Sequence, residues 1–424
     1  MNIIKYPNPS ELEELLKRPS FEADYLESIV KNIITRVRQC GDQALFELNE
    51  KFDKVKLDTL IVSKQEFDAA TNAVSDELKN AIQVAAENIL KFHSSQKRVE
   101  KPVETSQGVT CWRKAVAIEK VGIYIPGGTA PLFSTVLMLA IPATIAGCSE
   151  IILCTPPDRE GSINSAILYA AQLTGVTKVY KVGGAQAIAA MAYGTESIPK
   201  ADKIFGPGNQ YVTAAKQMVS LDGVAIDMPA GPSELAIIAD ASANPAFIAA
   251  DLLSQAEHGR DSQVILFGTD EYLIKSVNEE MQTQIRDLPR KEIAKASLSN
   301  SKAILVKDIN EALKLSNYYA PEHLIIATEN AEDAAEKVLN AGSVFLGNYT
   351  PESAGDYASG TNHTLPTNGT ARAYSGVSLD SFVKQITFQK ITQAGIQNLG
   401  PAIEQMAEAE QLLAHKRAVT IRMA

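Results

Sequence analysis

Val121-Gly-Ile-Tyr-Ile-Pro-Gly-Gly-Thr-Ala-Pro-Leu-Phe-Ser-Thr-Val-Leu-Met-Leu-Ala-Ile-Pro-Ala-Thr-Ile-Ala-Gly-Cys-Ser149 contains no charged residue. By length alone it would span a bilayer. Its punctuation argues otherwise, because Pro126-Gly-Gly128, Pro131 and Pro142 divide it into a strand, a loop and a helix. Val121–Ile125 is a bounded apolar run of strand length and composition. The stretch therefore reads as a buried β–loop–α unit, and that reading decides the fold class.

The same rhythm continues downstream. Short apolar runs at Glu150–Cys154, Lys178–Val182 and Lys203–Phe205 alternate with helical patterns at Ile163–Leu173, Ala185–Ala192 and Gln210–Val219. This is the βαβ alternation of a parallel sheet. The loop Ile226-Asp-Met-Pro-Ala-Gly-Pro232 breaks it, and a second set follows. Its strands are expected at Glu234–Ala239, Gln263–Phe267, Ala303–Val306, Leu324–Ala327 and Ser343–Leu346, with helices at Pro245–Glu257 and from Glu271, Asn310 and Ala331. Upstream, Tyr25–Lys51 and Asp76–Lys97 carry apolar residues at helical spacing, and Val109–Ile118 alternates weakly, as a strand would. Beyond about Asp380 the pattern becomes a helical tail containing Pro401–Lys416. The expected class is α/β, with two parallel-sheet units.

Length and composition bound the function. The 424 residues suffice for two to four domains at roughly 100–200 residues each. A net charge of −10, with no Lys/Arg cluster interleaved with aromatics, excludes a nucleic-acid surface. Met1-Asn-Ile-Ile-Lys-Tyr-Pro-Asn-Pro lacks an apolar signal core, and Cys40, Cys111, Cys148 and Cys154 have no paired spacing. Reduced thiols and a cytoplasmic location are expected.

Three places carry chemistry. In Asp251-Leu-Leu-Ser-Gln-Ala-Glu-His-Gly-Arg-Asp261, Gln255 and His258 stand three apart near a helix end, one above the other. Such a pair can grip a metal ion, although a histidine merely complementing the negative helix pole gives the same pattern. The loops Val182-Gly-Gly-Ala-Gln186 and Phe205-Gly-Pro-Gly-Asn209 each join a strand to a helix, where backbone N–H groups can approach a phosphate. Neither is a full G-x-G-x-x-G, no acidic residue stands at the ribose position, and a tight connection explains the glycines equally well. Of the five histidines, His93 reads as a helix-surface residue, whereas His258, His323, His363 and His415 lie in the C-terminal part.

Together, Val121-Gly-Ile-Tyr-Ile-Pro-Gly-Gly128, Val182-Gly-Gly-Ala-Gln-Ala-Ile188, Ile204-Phe-Gly-Pro-Gly-Asn209, Asp227-Met-Pro-Ala-Gly-Pro-Ser-Glu234, Leu253-Ser-Gln-Ala-Glu-His258, Ala320-Pro-Glu-His-Leu324 and Pro351-Glu-Ser-Ala-Gly-Asp356 resemble the histidinol dehydrogenase family, from about residue 20 to the C-terminus. Members oxidise L-histidinol to L-histidinal and then to L-histidine with two NAD, the last steps of histidine biosynthesis. The resemblance implies two incomplete Rossmann-like domains in a domain-swapped homodimer with active sites shared between subunits. It implies a small helical segment at 1–20, a metal- and substrate-side domain at 21–123 and 233–380, an NAD-side domain at 124–232, and a helical dimerisation tail at 381–424.

Carried over by motif, Gln255, His258 and Asp356 resemble the ligands of one zinc per subunit, with His415 as the fourth. His363, nearer to Asp356 in sequence, is the alternative. A thiolate-free N/O set suits a catalytic zinc with open positions, and would accept manganese or cobalt. Histidinol could chelate such a metal through its imidazole and amine. Glu322 and His323 look like the acid–base pair. Pro321 biases Ala320 to an extended conformation and places the pair at the mouth of a sheet, where an exposed Glu-His at a strand edge would look the same. His323 suits removal of the alcohol proton, and Glu322 suits activation of the water that must add to the aldehyde. Ser233 and Glu410 complete the substrate contacts with Gln255, His258, His323, Asp356 and His415. Tyr124, Gln186 and Asn209 are the expected NAD contacts. Glu410 and His415, five residues apart, flank a helix end in a tail expected to enter the other subunit's site. Cys148 and Cys154 have no neighbouring histidine and are not expected to act as nucleophiles. The rival readings are a zinc hydrolase using Glu322 as the water base and a non-catalytic α/β binding protein.

Overall fold

The computed structural model describes residues 1–19, 23–127, 130–228 and 231–424. The uncharged stretch around Val121 resolves into a strand and the Phe133–Ala146 helix, whose residues 134–143 are all buried and which Gly147 closes in a left-handed conformation. No helix among the described residues is long and apolar enough to cross a membrane.

In chain order the strands are β1 (Asn2–Lys5), β2 (Val103–Ser106), β3 (Val109–Ala117), β4 (Lys120–Tyr124), β5 (Glu150–Thr155), β6 (Lys178–Lys181), β7 (Lys203–Phe205) and β8 (Ala225–Ile226). They continue with β9 (Glu234–Ala239), β10 (Gln263–Gly268), β11 (Lys302–Leu305), β12 (His323–Ala327), β13 (Ser343–Leu346) and β14 (Val383–Ile391). The first parallel sheet runs β6-β5-β4-β7-β8, and the second runs β1-β11-β10-β9-β12-β13. Leaving out β1, both have one winding order, in which the strand direction of travel reverses beside the first strand formed. That is the Rossmann order without its sixth strand. Central strands such as β9 are buried at every position, as sheets covered by helices on both faces require.

Two features differ from the expected division of the chain. The helical segment Ala23–Phe52, two helices joined across a kink at Gly41 (φ 51°), packs Val30, Ile34, Val37 and Leu45 into the core that contains Ile188, Met191 and Val212. The Asp76–Ser94 helix packs Ile82 and Ile89 with Leu137 and Ile141. Residues 23–94 therefore cover the first sheet rather than joining the second. The opening segment is not purely helical either. β1 adds an edge strand beside β11, pairing Asn2 with Lys302.

The tail also departs from a purely helical pattern. β14 pairs antiparallel with β3 along nine residues, from Val383 opposite Ala117 to Ile391 opposite Val109. Trp112 stacks on Phe388 across this ribbon (5.4 Å). Just before it, buried Phe382 stacks on Phe205 (4.2 Å) and ties the ribbon to the first sheet. The Gln393–Ala409 and Leu413–Met423 helices follow, separated at Gln411, whose φ is 60°. Ile386, Phe388, Met406 and Leu413 remain exposed on this arm.

Candidate active site

Two features face functional chemistry, and they lie at opposite strand ends of their sheets. The first is a cleft of about 1270 Å³ at the carboxyl ends of β4 to β7, lined by Tyr124, Thr155, Gly184, Gln186 and Asn209 among others. This is the switch point where parallel sheets of this order hold ligands. Tyr124 ends β4 and accepts a hydrogen bond at Oη from the Gly184 N–H (3.1 Å), while burial pushes its phenol up to about 12. The Asn209 side chain accepts from the N–H groups of Tyr211 (3.0 Å) and Val212 (3.2 Å) and so caps the Gln210–Leu221 helix. Gln186 is buried in the first turn of the Gly184–Tyr193 helix. All three expected cofactor residues thus share one cleft. Gly206 has φ +124°, and a Cβ there would lie 2.0 Å from the Tyr124 carbonyl oxygen, so only glycine fits. Its peptide is held from both sides. Lys216 Nζ donates to the Gly206 carbonyl (2.9 Å), the Gly206 N–H donates to Asp227 Oδ2 (2.8 Å), and Lys216 and Asp227 form a buried ion pair.

The second feature is a buried acidic cage at the amino ends of β9 and β12. The Pro245–Ala256 helix starts on an Asn244 cap with Pro245 in its first turn, and runs antiparallel to the strands. Its last turn therefore delivers fully buried Gln255 to the cage. The hydrogen-bond pattern orients the Gln255 amide so that its nitrogen donates to Glu352 Oε1 and its oxygen accepts from the Glu234 N–H (2.8 Å). The same N–H lies 2.8 Å from Glu322 Oε2. His323 Nδ1 stands 3.8 Å from Glu322 Oε2 and 3.7 Å from Glu352 Oε1, and Nε2 stands 3.7 Å from Asp356 Oδ1. Glu352 and Asp356 project four residues apart from the short Glu352–Tyr357 helix. At the outer side, Arg18 grips Glu234 through Nε (2.5 Å) and a second nitrogen (2.9 Å), and lies over the Tyr319 ring.

Burial drives the cage groups toward their neutral forms. It raises Glu322 and Glu352 well above the usual carboxylate range and Asp356 to about 7. It lowers His323 to about 3 and His363 to about 4. His323 Nδ1 and Glu352 Oε2 are buried without a hydrogen-bond partner. His323, Glu352 and Asp356 each offer a ligand atom, and these atoms lie within 4.8 Å of one another. A divalent cation fits the cage, because it would supply the charge that burial withholds, and of the expected ligands Asp356 belongs to this set.

Several expected residues occupy other settings. Ala320 is left-handed (φ 53°, ψ 66°) rather than extended, because it ends the Ile309–Tyr319 helix by donating its N–H to Ser316 O (2.7 Å). Glu322 and His323 stand at the amino end of β12 and are buried there, unlike an exposed pair at a strand edge. His93 is fully buried rather than on a helix surface, with Nδ1 3.3 Å from Gln96 Oε1. His258 stands just beyond the helix, near enough to His323 and His363 to lower both of their pKa values, and burial followed by Arg290 lowers its own. His363 has both ring nitrogens engaged, Nε2 with Thr135 Oγ1 (3.0 Å) and Nδ1 with the Asp356 carbonyl (2.9 Å). Ser233 immediately precedes Glu234. Glu410 and His415 are exposed on the arm, and neither joins the cage within the chain. Glu352 was not singled out from sequence, although its four-residue spacing from Asp356 after a proline was readable. Arg18 and Glu234 left no local signal.

A model of histidinol dehydrogenase matches residues 16–423. The chain belongs to the histidinol dehydrogenase family, whose members are oxidoreductases. It is 66% identical over 423 residues to histidinol dehydrogenase of Bacteroides thetaiotaomicron, covering 100% of this chain and 99% of that one. The corresponding protein of Bacteroides fragilis is 63% identical over the same length and coverage. The structure of histidinol dehydrogenase from Elizabethkingia anophelis superposes with a TM-score of 0.98 at 59% identity, covering 100% of this chain and 98% of that one. An acetylating aldehyde dehydrogenase from Geobacillus thermoglucosidasius shares the fold alone, with a TM-score of 0.50 at 15% identity and coverage of 89% and 93%.

Proposed function

We propose that this enzyme oxidises L-histidinol through L-histidinal to L-histidine, with NAD in the cleft of the first sheet and zinc held by Gln255, His258 and Asp356 at the cage. The carrying observation is that a cleft roomy enough for a dinucleotide accompanies a buried cage of one imidazole and three carboxyl groups, Glu322, Glu352 and Asp356. Zinc held there would supply a Lewis acid that positions the substrate, and NAD in the cleft would be the hydride acceptor. Neutral His323 has an unpaired Nδ1 and takes the alcohol proton as the hydride leaves. In the second half, water adds to the aldehyde carbon and gives its proton to Glu322, which the charge of a bound cation would keep in its carboxylate form against the burial that otherwise neutralises it, and whose Oε2 is steadied by the Glu234 N–H. The hydrate then loses the second hydride, and the product is a carboxylate. Burial of the cage excludes bulk water, so hydration occurs at a positioned site. Glu410 and His415 complete the site from a second copy of the chain. The exposed apolar arm supports that reading, since β14 and its two helices bury little of their surface within one chain.

A zinc hydrolase would have no use for the cleft, which favours the dehydrogenase. The test is absorbance of reduced nicotinamide with histidinol and NAD, before and after chelation. Two equivalents of NADH per histidinol and loss on chelation are expected. Chelator-sensitive ester or amide hydrolysis without NADH would refute the proposal.

A further inference from the structure

The first sheet leaves one requirement of dinucleotide binding unfilled. Folds of this order ordinarily place a carboxylate near the end of the second strand to accept the ribose hydroxyls. Here Asp158 follows the corresponding strand, β5, but its Oδ1 accepts from the N–H groups of Glu160 (3.0 Å) and Ser162 (2.8 Å) and so serves its own loop.

Another carboxylate lines the same cleft. Asp53 comes just after the Ala23–Phe52 helix, on an element outside the βαβ units. Its backbone N–H continues the helix to Asn49 O (2.9 Å), and Lys54 then turns left-handed with φ 60°, which ends the helix at the cleft wall. The Asp53 side chain has no hydrogen bond or ion pair among the described residues, and its Oδ2 is buried. It sits close enough to Tyr124 to raise that phenol's pKa. A half-buried carboxylate without donors is an unsatisfied group, and native proteins rarely keep one without a ligand or a function. Beside it, Phe52 is 47% exposed and lines the same wall, giving an apolar ring to a flat base. Lys51 and Arg159 in the cleft lining offer cations for a diphosphate.

We propose that Asp53 accepts the ribose hydroxyls at the adenosine end of the dinucleotide and so selects a cofactor with a free 2′-hydroxyl over one with a 2′-phosphate. The inference rests on the cleft being the dinucleotide site. A vicinal diol offers two O–H donors to one carboxylate, and hydrogen bonds to a charged group are the strong ones. A 2′-phosphate would instead bring negative charge onto a carboxylate already short of solvation.

The test is direct binding to the full-length protein, read by calorimetry or by the fluorescence of the reduced nicotinamide, with NADH, NADPH, ADP and nicotinamide mononucleotide as separate probes. Asp53→Asn should weaken NADH and ADP about tenfold or more, leave nicotinamide mononucleotide unchanged, and lower the preference for NADH over NADPH. Asp53→Ser, which also lacks the carboxylate, should do the same. Unchanged NADH binding in both variants would overturn the proposal. So would weakening of the mononucleotide without ADP, or a larger shift of the NADH/NADPH preference in Asp158→Asn. If the parent protein binds none of the four probes, the cofactor reading itself fails, which is a separate result.

A structural role is separable by stability. Burial raises the Asp53 carboxyl to about 6 in the folded protein, so its ionisation costs stability as pH rises through that value. Asp53→Asn should therefore match or exceed the parent's unfolding midpoint at pH 8 without ligand. A lowered midpoint would assign Asp53 to the fold and overturn the proposal.

Discussion

Replacing Glu352 by Gln should change the protein's stability in opposite directions with and without metal. The Glu352 side chain is 1% exposed, Oε2 has no partner, and Oε1 lies 3.7 Å from His323 Nδ1. Burial raises its folded-state pKa well above its unfolded value. Its favourable contribution is therefore complete below about pH 4.3 and is lost as pH climbs toward the folded value, at about 1.4 kcal/mol per unit. Glutamine keeps an oxygen for the Gln255 amide and removes the ionisation. Without metal at pH 8 the variant should be more stable by on the order of 1–3 kcal/mol, roughly 2–4 °C per kcal/mol for a domain of 150–250 residues. At pH 4 the difference should vanish. With zinc the order should invert. A carboxylate beside a metal contributes about 10–100-fold in affinity, whereas a metal at a hundred times its Kd stabilises the parent by about 2.7 kcal/mol. Calorimetric unfolding of both proteins in chelator and in zinc, at pH 4 and pH 8, reads all four cases. A variant less stable than its parent in chelator at pH 8, or an equal zinc increment in both, would refute the cage as a cation site.

Single-turnover assays with histidinol and with histidinal should separate the acid–base pair. Glu322→Gln should slow aldehyde oxidation about 100-fold or more while sparing the first hydride transfer, and His323→Asn should slow both. Equal, mild losses in both assays would remove the pair from the chemistry. Cys148→Ser should retain most turnover, because burial pushes that thiol up to about 11 and it donates to the Phe382 carbonyl (3.8 Å). Selective loss of the aldehyde step would instead assign Cys148 a covalent role. Co-expressed Glu322→Gln and His415→Asn subunits should recover activity, since an exchanged arm leaves one intact site in each mixed dimer. Purified mixed dimers that stay inactive would place the arm in its own subunit's site.

The two parallel sheets were legible because their central strands are apolar on both faces. The expected bounds of Glu234–Ala239 and Ser343–Leu346 match β9 and β13. β14 was not legible. Val-Lys-Gln-Ile-Thr-Phe-Gln-Lys-Ile has too many polar residues to announce a strand, and its partner β3 lies more than 260 residues earlier. The placement of residues 23–94 failed for a related reason: an amphipathic stripe says that a helix is covered, not by which sheet. At the cage, the Gln255/His258 spacing was readable as local geometry, and the Glu-His pair was readable as chemistry. The Arg18–Glu234 grip depends on residues 216 apart and became visible only in three dimensions.

β1 has a consequence for how the molecule is made. Its partner strand β11 begins 300 residues later in the chain, with Lys302 opposite Asn2. At about 5–20 residues per second, roughly 15–60 s of synthesis separate the two. The first sheet, whose last strand ends at Ile226, can close while the ribosome is still building the second. Through that interval the amino-terminal strand waits without its ladder. Arg18 likewise waits for Glu234 and for the Tyr319 carbonyl. The beginning of the chain is thus among the last parts to be locked, and the acidic cage gains the Arg18–Glu234 grip only after more than half of the protein exists and the Tyr319 contact after about three quarters.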